Sequence, residues 1–136
     1  IVAHEYLGIS VKDKDVIVVD DMISSGGSMI DTARDLKHRG ARRVFVFATF
    51  GLFTNGMAKF DKAYQEGMID RIFTTNLTWQ SPELLGREYY VSVEMSKYIA
   101  YLIDTLNHDT SIGELLSPTD RISSLIRGYQ NKESIE

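Results

Sequence analysis

Two adjacent carboxylates, Asp20 and Asp21, are followed after two residues by Ser24-Ser25-Gly26-Gly27-Ser28. Ionised carboxylates only accept hydrogen bonds, and a vicinal diol can donate two, so the acids suit the hydroxyls of a sugar. The loop has three hydroxyls and little side-chain bulk, which lets several backbone N–H groups converge on one anion. A sugar phosphate satisfies both halves. The elements that must position these groups flank them directly. Val16 to Val19 is an unbroken apolar run, as in a strand covered on both faces, and predicts an interior strand of a parallel sheet. Met29, Ile30, Ala33 and Leu36 then fall on one side of a helix that Gly40 would stop, with the positive end of its dipole at the loop. Strand, loop and helix in this order put the polar residues at the carboxyl end of a strand, where open α/β sheets bind ligands. A plain βα connection rich in Asp, Ser and Gly would read similarly at any one of these positions. Neither G-x-x-x-x-G-K-[ST] nor G-x-G-x-x-G is present.

Alternating strand and helix patterns continue along the chain. Val44 to Ala48 predicts a second strand, with the intervening helix as a right-handed crossover. Met57 to Gln65 predicts a helix ending at Gly67, and Arg71 to Thr75 a third strand. Gly51 and Asn55-Gly56 mark the loop between the second strand and that helix. After Ser81-Pro82 an extended piece is expected over Glu88 to Ser92. Met95, Tyr98, Ile99, Leu102, Ile103 and Leu106 then follow a helical stripe, with Ser92 as its candidate cap. A last amphipathic helix beyond Ser117-Pro118 carries Ile122, Leu125, Ile126 and Tyr129, and a frayed tail follows Gln130. The expected class is α/β: three layers, with a mostly parallel sheet between flanking helices.

The chain has 136 residues, a formal net charge of -4, a pI near 5.4 and no cysteine. One domain of this length can bury a core without staples. The absence of cysteine excludes disulfides and thiolate metal sites, and fits a cytoplasmic setting. An acidic balance argues against a nucleic-acid surface, which needs clustered Lys and Arg. The nearest basic cluster, Lys37-His38-Arg39 with Arg42-Arg43, reads as a solvated helix end. No apolar run approaches the roughly 20 residues needed to cross a bilayer, so a soluble protein is expected.

Other residues that could do chemistry have structural readings. His4, His38 and His108 show no metal-ligand spacing. Asn76-Leu-Thr78 fits a glycosylation acceptor only by coincidence, and Trp79 is expected to pack near Pro82. Thr74, Thr75 and Asn76 end a strand on the ligand side and could have a polar role there.

At Val16 to Ser28 the sequence resembles the phosphoribosyl-pyrophosphate motif of type I phosphoribosyltransferase folds: four apolar residues, Asp-Asp, two residues, and a Thr/Ser/Gly loop. Further text resembles one branch of that superfamily, the ribose-phosphate pyrophosphokinases: Ile1-Val-Ala-His-Glu-Tyr-Leu-Gly8, Arg43-Val-Phe-Val-Phe-Ala-Thr-Phe-Gly51, Thr74-Thr-Asn76 and Val91-Ser-Val-Glu-Met-Ser-Lys-Tyr98. The resemblance covers about the first 116 residues. Residues 1–116 are thus expected to form a phosphoribosyltransferase-like domain, and residues 117–136 a helical extension packed on it. Two departures mark a divergent subgroup. Ser24-Ser-Gly-Gly-Ser28 stands where the commonest form has Asp-Thr-Ala-Gly-Thr, which removes one carboxylate, and Phe50 stands where a His is frequent.

The resemblance implies that Asp20 and Asp21 hold ribose hydroxyls and that Ser24, Ser25, Gly26, Gly27 and Ser28 hold the 5-phosphate of ribose 5-phosphate. The implied reaction moves the β,γ-diphosphoryl group of ATP to the 1-hydroxyl, with Mg²⁺ bridging phosphate oxygens. Asp20 and Asp21 could also touch the Mg²⁺, with ribose contact the favoured role. No catalytic residue is expected in this chain. In the family a Lys-Arg loop upstream of the segment matching Ile1, and an amino-terminal domain, complete the nucleotide site. The chain starts at Ile1 without an initiator Met or signal peptide, so the expectation is a carboxyl-terminal domain that holds ribose 5-phosphate without turnover. Family members also imply a homo-oligomer. The rival readings are a phosphoribosyltransferase that consumes phosphoribosyl pyrophosphate, and a non-catalytic regulatory subunit that keeps the binding fold.

Overall fold

The computed structural model describes residues 8–113 and 119–133. The chain divides into two compact units, one ending at Met95 and one starting at Ser96. His4 and the boundary expected at residue 116 lie outside the described residues.

Among its described residues the first unit is a four-stranded parallel sheet with flanking helices, which is the α/β class expected. Its elements run β1 (Asp15–Ile23), α1 (Gly27–His38), β2 (Arg43–Gly51), α2 (Ala58–Gln65), β3 (Arg71–Thr75), α3 (Pro82–Leu85) and β4 (Tyr90–Val93). The sheet order is β1-β2-β3-β4, each strand parallel to the next. Crossovers of one hand that step to the adjacent strand each time bring their helices to one face. The core accordingly joins Val44, Val46 and Ile72 of the sheet to Met29, Ile30, Ala33 and Leu36 of α1, Phe60 and Ala63 of α2, and Leu84 of α3.

This topology corrects one expectation. Among the described residues β1 is an edge strand, not an interior one, and Ile17 and Val19 are 62% and 76% exposed. A continuous apolar run says that both faces can be buried, but not that both are covered. Val16 and Val18 pack on the core, while their alternating neighbours point to the other face.

The helix signals act largely as read. Gly40, with Ala41, ends α1 in a Schellman arrangement: Gly40 N–H donates to the Lys37 carbonyl and Ala41 N–H to that of Leu36. The short α3 was not anticipated, although Ser81-Pro82 announces it. The Ser81 hydroxyl accepts the Leu84 N–H, and Pro82 opens the helix where no donor is needed.

In the second unit α4 (Ser96–Asn107) and α5 (Thr119–Glu133) carry the two expected stripes. Ile103 and Leu106 on α4, and Leu125 and Tyr129 on α5, are exposed. Ser92 does not cap α4. It lies inside β4, and its hydroxyl donates to Gln80 Oε1 at 2.7 Å.

Candidate functional site

The parallel order brings the carboxyl ends of β1, β2 and β3 to one edge of the sheet. Asp20 sits opposite Ala48, and β1 continues to Ile23, which is 1% exposed. The strand therefore runs past both acids before the loop begins. Gly26, at φ 78°, is the first turn's boundary, and Ile30 N–H closes the first helical bond to its carbonyl at 2.9 Å. Among the described residues no side chain caps this terminus, and its first turn holds no acidic residue. The leading N–H groups of α1 have no helical partner, and the dipole adds partial positive charge where they point.

A cleft of about 140 Å³ forms here, lined by Asp20, Met22, Ile23, Ser24, Ser25, Gly26, Gly27, Ser28 and Met29. Every loop residue singled out from the sequence lines it. Asp21 does not: it is exposed on β1, one position along from Asp20 and hence on the opposite side of the strand. The Asp21 N–H donates to Asp20 Oδ1 at 2.8 Å, leaving Asp20 Oδ2 for other donors. Among the described residues no Lys or Arg lines the cleft.

The loop is fixed from behind by the segment after β2. Leu52 and Phe53 N–H groups donate to the Ile23 carbonyl at 2.8 and 3.3 Å, and Thr54 N–H to the Ser24 carbonyl at 3.1 Å. The sequence marked this segment only as the loop between β2 and α2.

A second groove, of about 210 Å³, shares Asp20 and crosses to the other face, past Val19, Phe47, Thr49, Phe73, Thr75 and Val93. Phe47 and Phe73 stack there at 4.3 Å with ring planes 3° apart. Alternation in β2 and β3 places them on the face away from α1, and register makes them neighbours. A larger hollow of about 280 Å³ between α1 and α2 is lined by charges of both signs, Arg34 and Lys62 each facing a carboxylate, Asp31 at 2.8 Å and Glu66 at 3.7 Å.

The strand-end residues Thr74 to Asn76 serve the scaffold. Thr74 Oγ1 lies 2.6 Å from the Tyr90 hydroxyl, Thr75 Oγ1 donates to the Thr49 carbonyl, and Asn76 Nδ2 donates to Glu94. Gln80 joins them: its Nε2 donates to the Thr75 carbonyl and to the Tyr90 hydroxyl, and its Oε1 accepts from Ser92. The next residue back, Trp79, is 83% exposed, so the packing role expected for it is corrected. Its neighbours turn inward to bond, and its ring is left outside.

The four cations of the basic cluster share three carboxylates. Arg42 and Arg43 both bind Asp15, Lys37 reaches Asp70 at 3.0 Å, and Arg39 reaches Asp35 at 2.8 Å. Hydrogen bonds from Arg42 and Arg43 hold the Asp15 carboxyl far below the usual range. At the other side of the unit, Tyr89 and Arg87 donate to Asp61. Burial alone would raise the Asp61 pKa, but these two donors outweigh it and the net shift is downward. Burial, and then the bond to Asp61, push the Tyr89 hydroxyl well above its ordinary value.

Among the described residues no group of three or more metal-ligating side chains is placed to hold an ion, and no helix is long and apolar enough to cross a membrane. His38 and His108 are exposed.

Residues 7–117 match the family described as phosphoribosyl synthetase-associated domain. Ribose-phosphate pyrophosphokinases from Shewanella oneidensis and Vibrio cholerae are 34% and 31% identical over 107 residues, covering 79% of this chain and 33% of each relative. One from Mycoplasma pneumoniae is 46% identical over 68 residues, 48% of this chain and 20% of the relative. The chain thus spans about a third of the length of the first two relatives. The crystal structure of phosphoribosylpyrophosphate synthetase from Mycobacterium smegmatis superposes with a TM-score of 0.65 at 22% identity, covering 75% of this chain and 33% of that one. At that identity the likeness concerns the fold.

Proposed function

Because this chain belongs to the phosphoribosyl synthetase-associated domain family, we propose that it is the part of a ribose-phosphate pyrophosphokinase that holds ribose 5-phosphate. The observation that carries this reading is the cleft itself: one carboxylate and the uncapped start of α1 face the same small space. The N–H groups of the Ser24–Ser28 loop and its hydroxyls bind the 5-phosphate. Asp20 accepts from ribose hydroxyls, while Asp21 lies on the opposite side of the strand and outside the cleft.

In the whole enzyme the 1-hydroxyl oxygen attacks the β-phosphorus of ATP. Its bond to phosphorus forms as the bridge between the α- and β-phosphoryl groups breaks, AMP leaves, and the hydroxyl proton is released. Such a transfer asks for positioning and charge neutralisation, not for a covalent nucleophile. The cleft fits that demand. Asp20, the one carboxylate in the cleft, suits Mg²⁺ in the way it is commonly held, by one or two carboxylates together with substrate phosphates and water. When bound, the ion would neutralise phosphate charge. The ATP site, assembly as a homo-oligomer and a cytoplasmic setting belong to the same proposal and rest on the family.

The test is calorimetric titration of this chain with ribose 5-phosphate, with ribose as the control, before and after Asp20→Ala plus Asp21→Ala. Ribose 5-phosphate should release heat on the unmodified chain, ribose much less, and the double variant should lose most of the signal. No heat in the unmodified chain, or equal heat in both proteins, removes the assignment.

A further inference from the structure

The turn at Gly26 is set by an aromatic ring. A Cβ on Gly26 would meet the Phe60 ring tip, with Cζ nearest and Cε2 and Cε1 at 2.6 and 2.8 Å, closer than real Cβ atoms come. Phe60 is 1% exposed on α2, and its ring meets that of Phe53 edge-on at 5.1 Å and 79°. Phe53 stands at φ 45° and meets the Tyr90 ring edge-on at 5.9 Å. The same residue's N–H, with those of Leu52 and Thr54, binds the Ile23 and Ser24 carbonyls. The backbone from Ile23 to Gly26 is therefore gripped on one side by hydrogen bonds and on the other by a ring.

We propose that Phe60 is a positioning residue for phosphate: its ring tip fixes the Gly26 turn, and so the aim of the Gly27 and Ser28 N–H groups, with Phe53 as the brace behind it. This rests on the reading of Ser24 to Ser28 as the phosphate loop. A side chain cap would fix a helix start by bonding those very N–H groups. A ring pressed on a glycine fixes it and leaves them free for a ligand.

Two substitutions separate this role from plain core packing. Phe60→Leu deletes the tip and more buried volume. Phe60→Tyr keeps the ring and adds a hydroxyl on Cζ, the atom nearest Gly26. If the ring only fills the core, Leu should be the more harmful in every assay. If it sets the loop, Tyr should weaken binding at least as much. The dissociation constant for ribose 5-phosphate is fitted together with stoichiometry, so that an unfolded fraction lowers the stoichiometry alone. The Gly26 and Gly27 amide resonances are recorded without ligand. Both variants should weaken binding about tenfold or more, as for loss of one charge-assisted hydrogen bond, with those two resonances displaced. Unmoved resonances, or unchanged affinity in both variants, overturn the proposal. An unmodified chain that binds no ribose 5-phosphate overturns the phosphate-loop reading, and this role with it. Displaced glycine resonances in Phe60→Tyr, which keeps the ring and its ring current, would then show that the ring still governs the turn and that the fault lies in the ligand assignment.

Discussion

Gly51→Ala should be among the most damaging single-methyl additions to this fold. A Cβ there would lie 2.6 Å from Phe53 Cε2, 2.8 Å from Thr74 Oγ1 and 2.9 Å from Thr74 Cγ2. Neither neighbour has room to yield. Thr74 is 1% exposed and is tied to the Tyr90 hydroxyl at 2.6 Å. Phe53 is held between the Phe60 and Tyr90 rings. Overpacking costs about 1–3 kcal/mol, and two pinned neighbours put this case in the upper part, about 2–3 kcal/mol. For a chain of this length that corresponds to a fall in Tm of roughly 6–18 °C. Thermal unfolding followed by circular dichroism measures it. Thr74→Ala removes two of the three close contacts, so in that background the added methyl should cost at least about 1 kcal/mol less, a coupling expected only between touching residues. Unfolding within about 0.5 kcal/mol of the unmodified chain, or the same cost in both backgrounds, would refute the reasoning.

Asp20 lines the cleft and Asp21 does not. Asp20→Ala alone should therefore weaken ribose 5-phosphate binding by about 10–100-fold, as for a hydrogen bond to a charged group, and Asp21→Ala by clearly less; an equal or inverted pair of dissociation constants would contradict the placement. The Asp61 carboxyl has a folded pKa below its ordinary 3.8. Its stabilising contribution is complete above that unfolded value and declines as pH falls through the lower folded one. Asp61→Asn should consequently be less stable than the unmodified chain near neutral pH, with the gap narrowing in acid below about pH 4. Urea unfolding at both pH values that found a constant gap would show that the bonds from Arg87 and Tyr89 do not set it.

Much of this was legible in the residues, and the misses share a cause. Local signals worked where the deciding contacts are local: Gly40 stops α1 with bonds to Leu36 and Lys37, and the alternation in Arg71 to Thr75 is that of the β3 seen. The loop residues Ser24 to Ser28 line one cleft because they are consecutive. Misses arose where a partner far along the chain decides. Val16 to Val19 could not say that β1 has one strand neighbour among the described residues. Asp20 and Asp21, identical as text, are separated by strand alternation. Trp79 looked like packing because its type is bulky, whereas its place is decided by Gln80, whose side chain bonds Thr75, Tyr90 and Ser92. The Phe60 tip against Gly26 joins a residue on α2 to the turn just before α1, and nothing in either segment alone announces it.

That no Lys or Arg among the described residues lines the cleft has a consequence for how an anion would be recognised. The chain is net negative, and Arg42, Arg43 and Lys37 are bound to Asp15 and Asp70. The net negative charge gives little long-range gathering of polyanions, and inside the cleft an anion would meet backbone dipoles that fall off within the first helical turn. An anion is felt only on contact, when its oxygens reach the N–H groups. Such a site discriminates by shape and oxygen placement more than by charge, and ionic screening, which acts over distances near 8–10 Å, has little to act on.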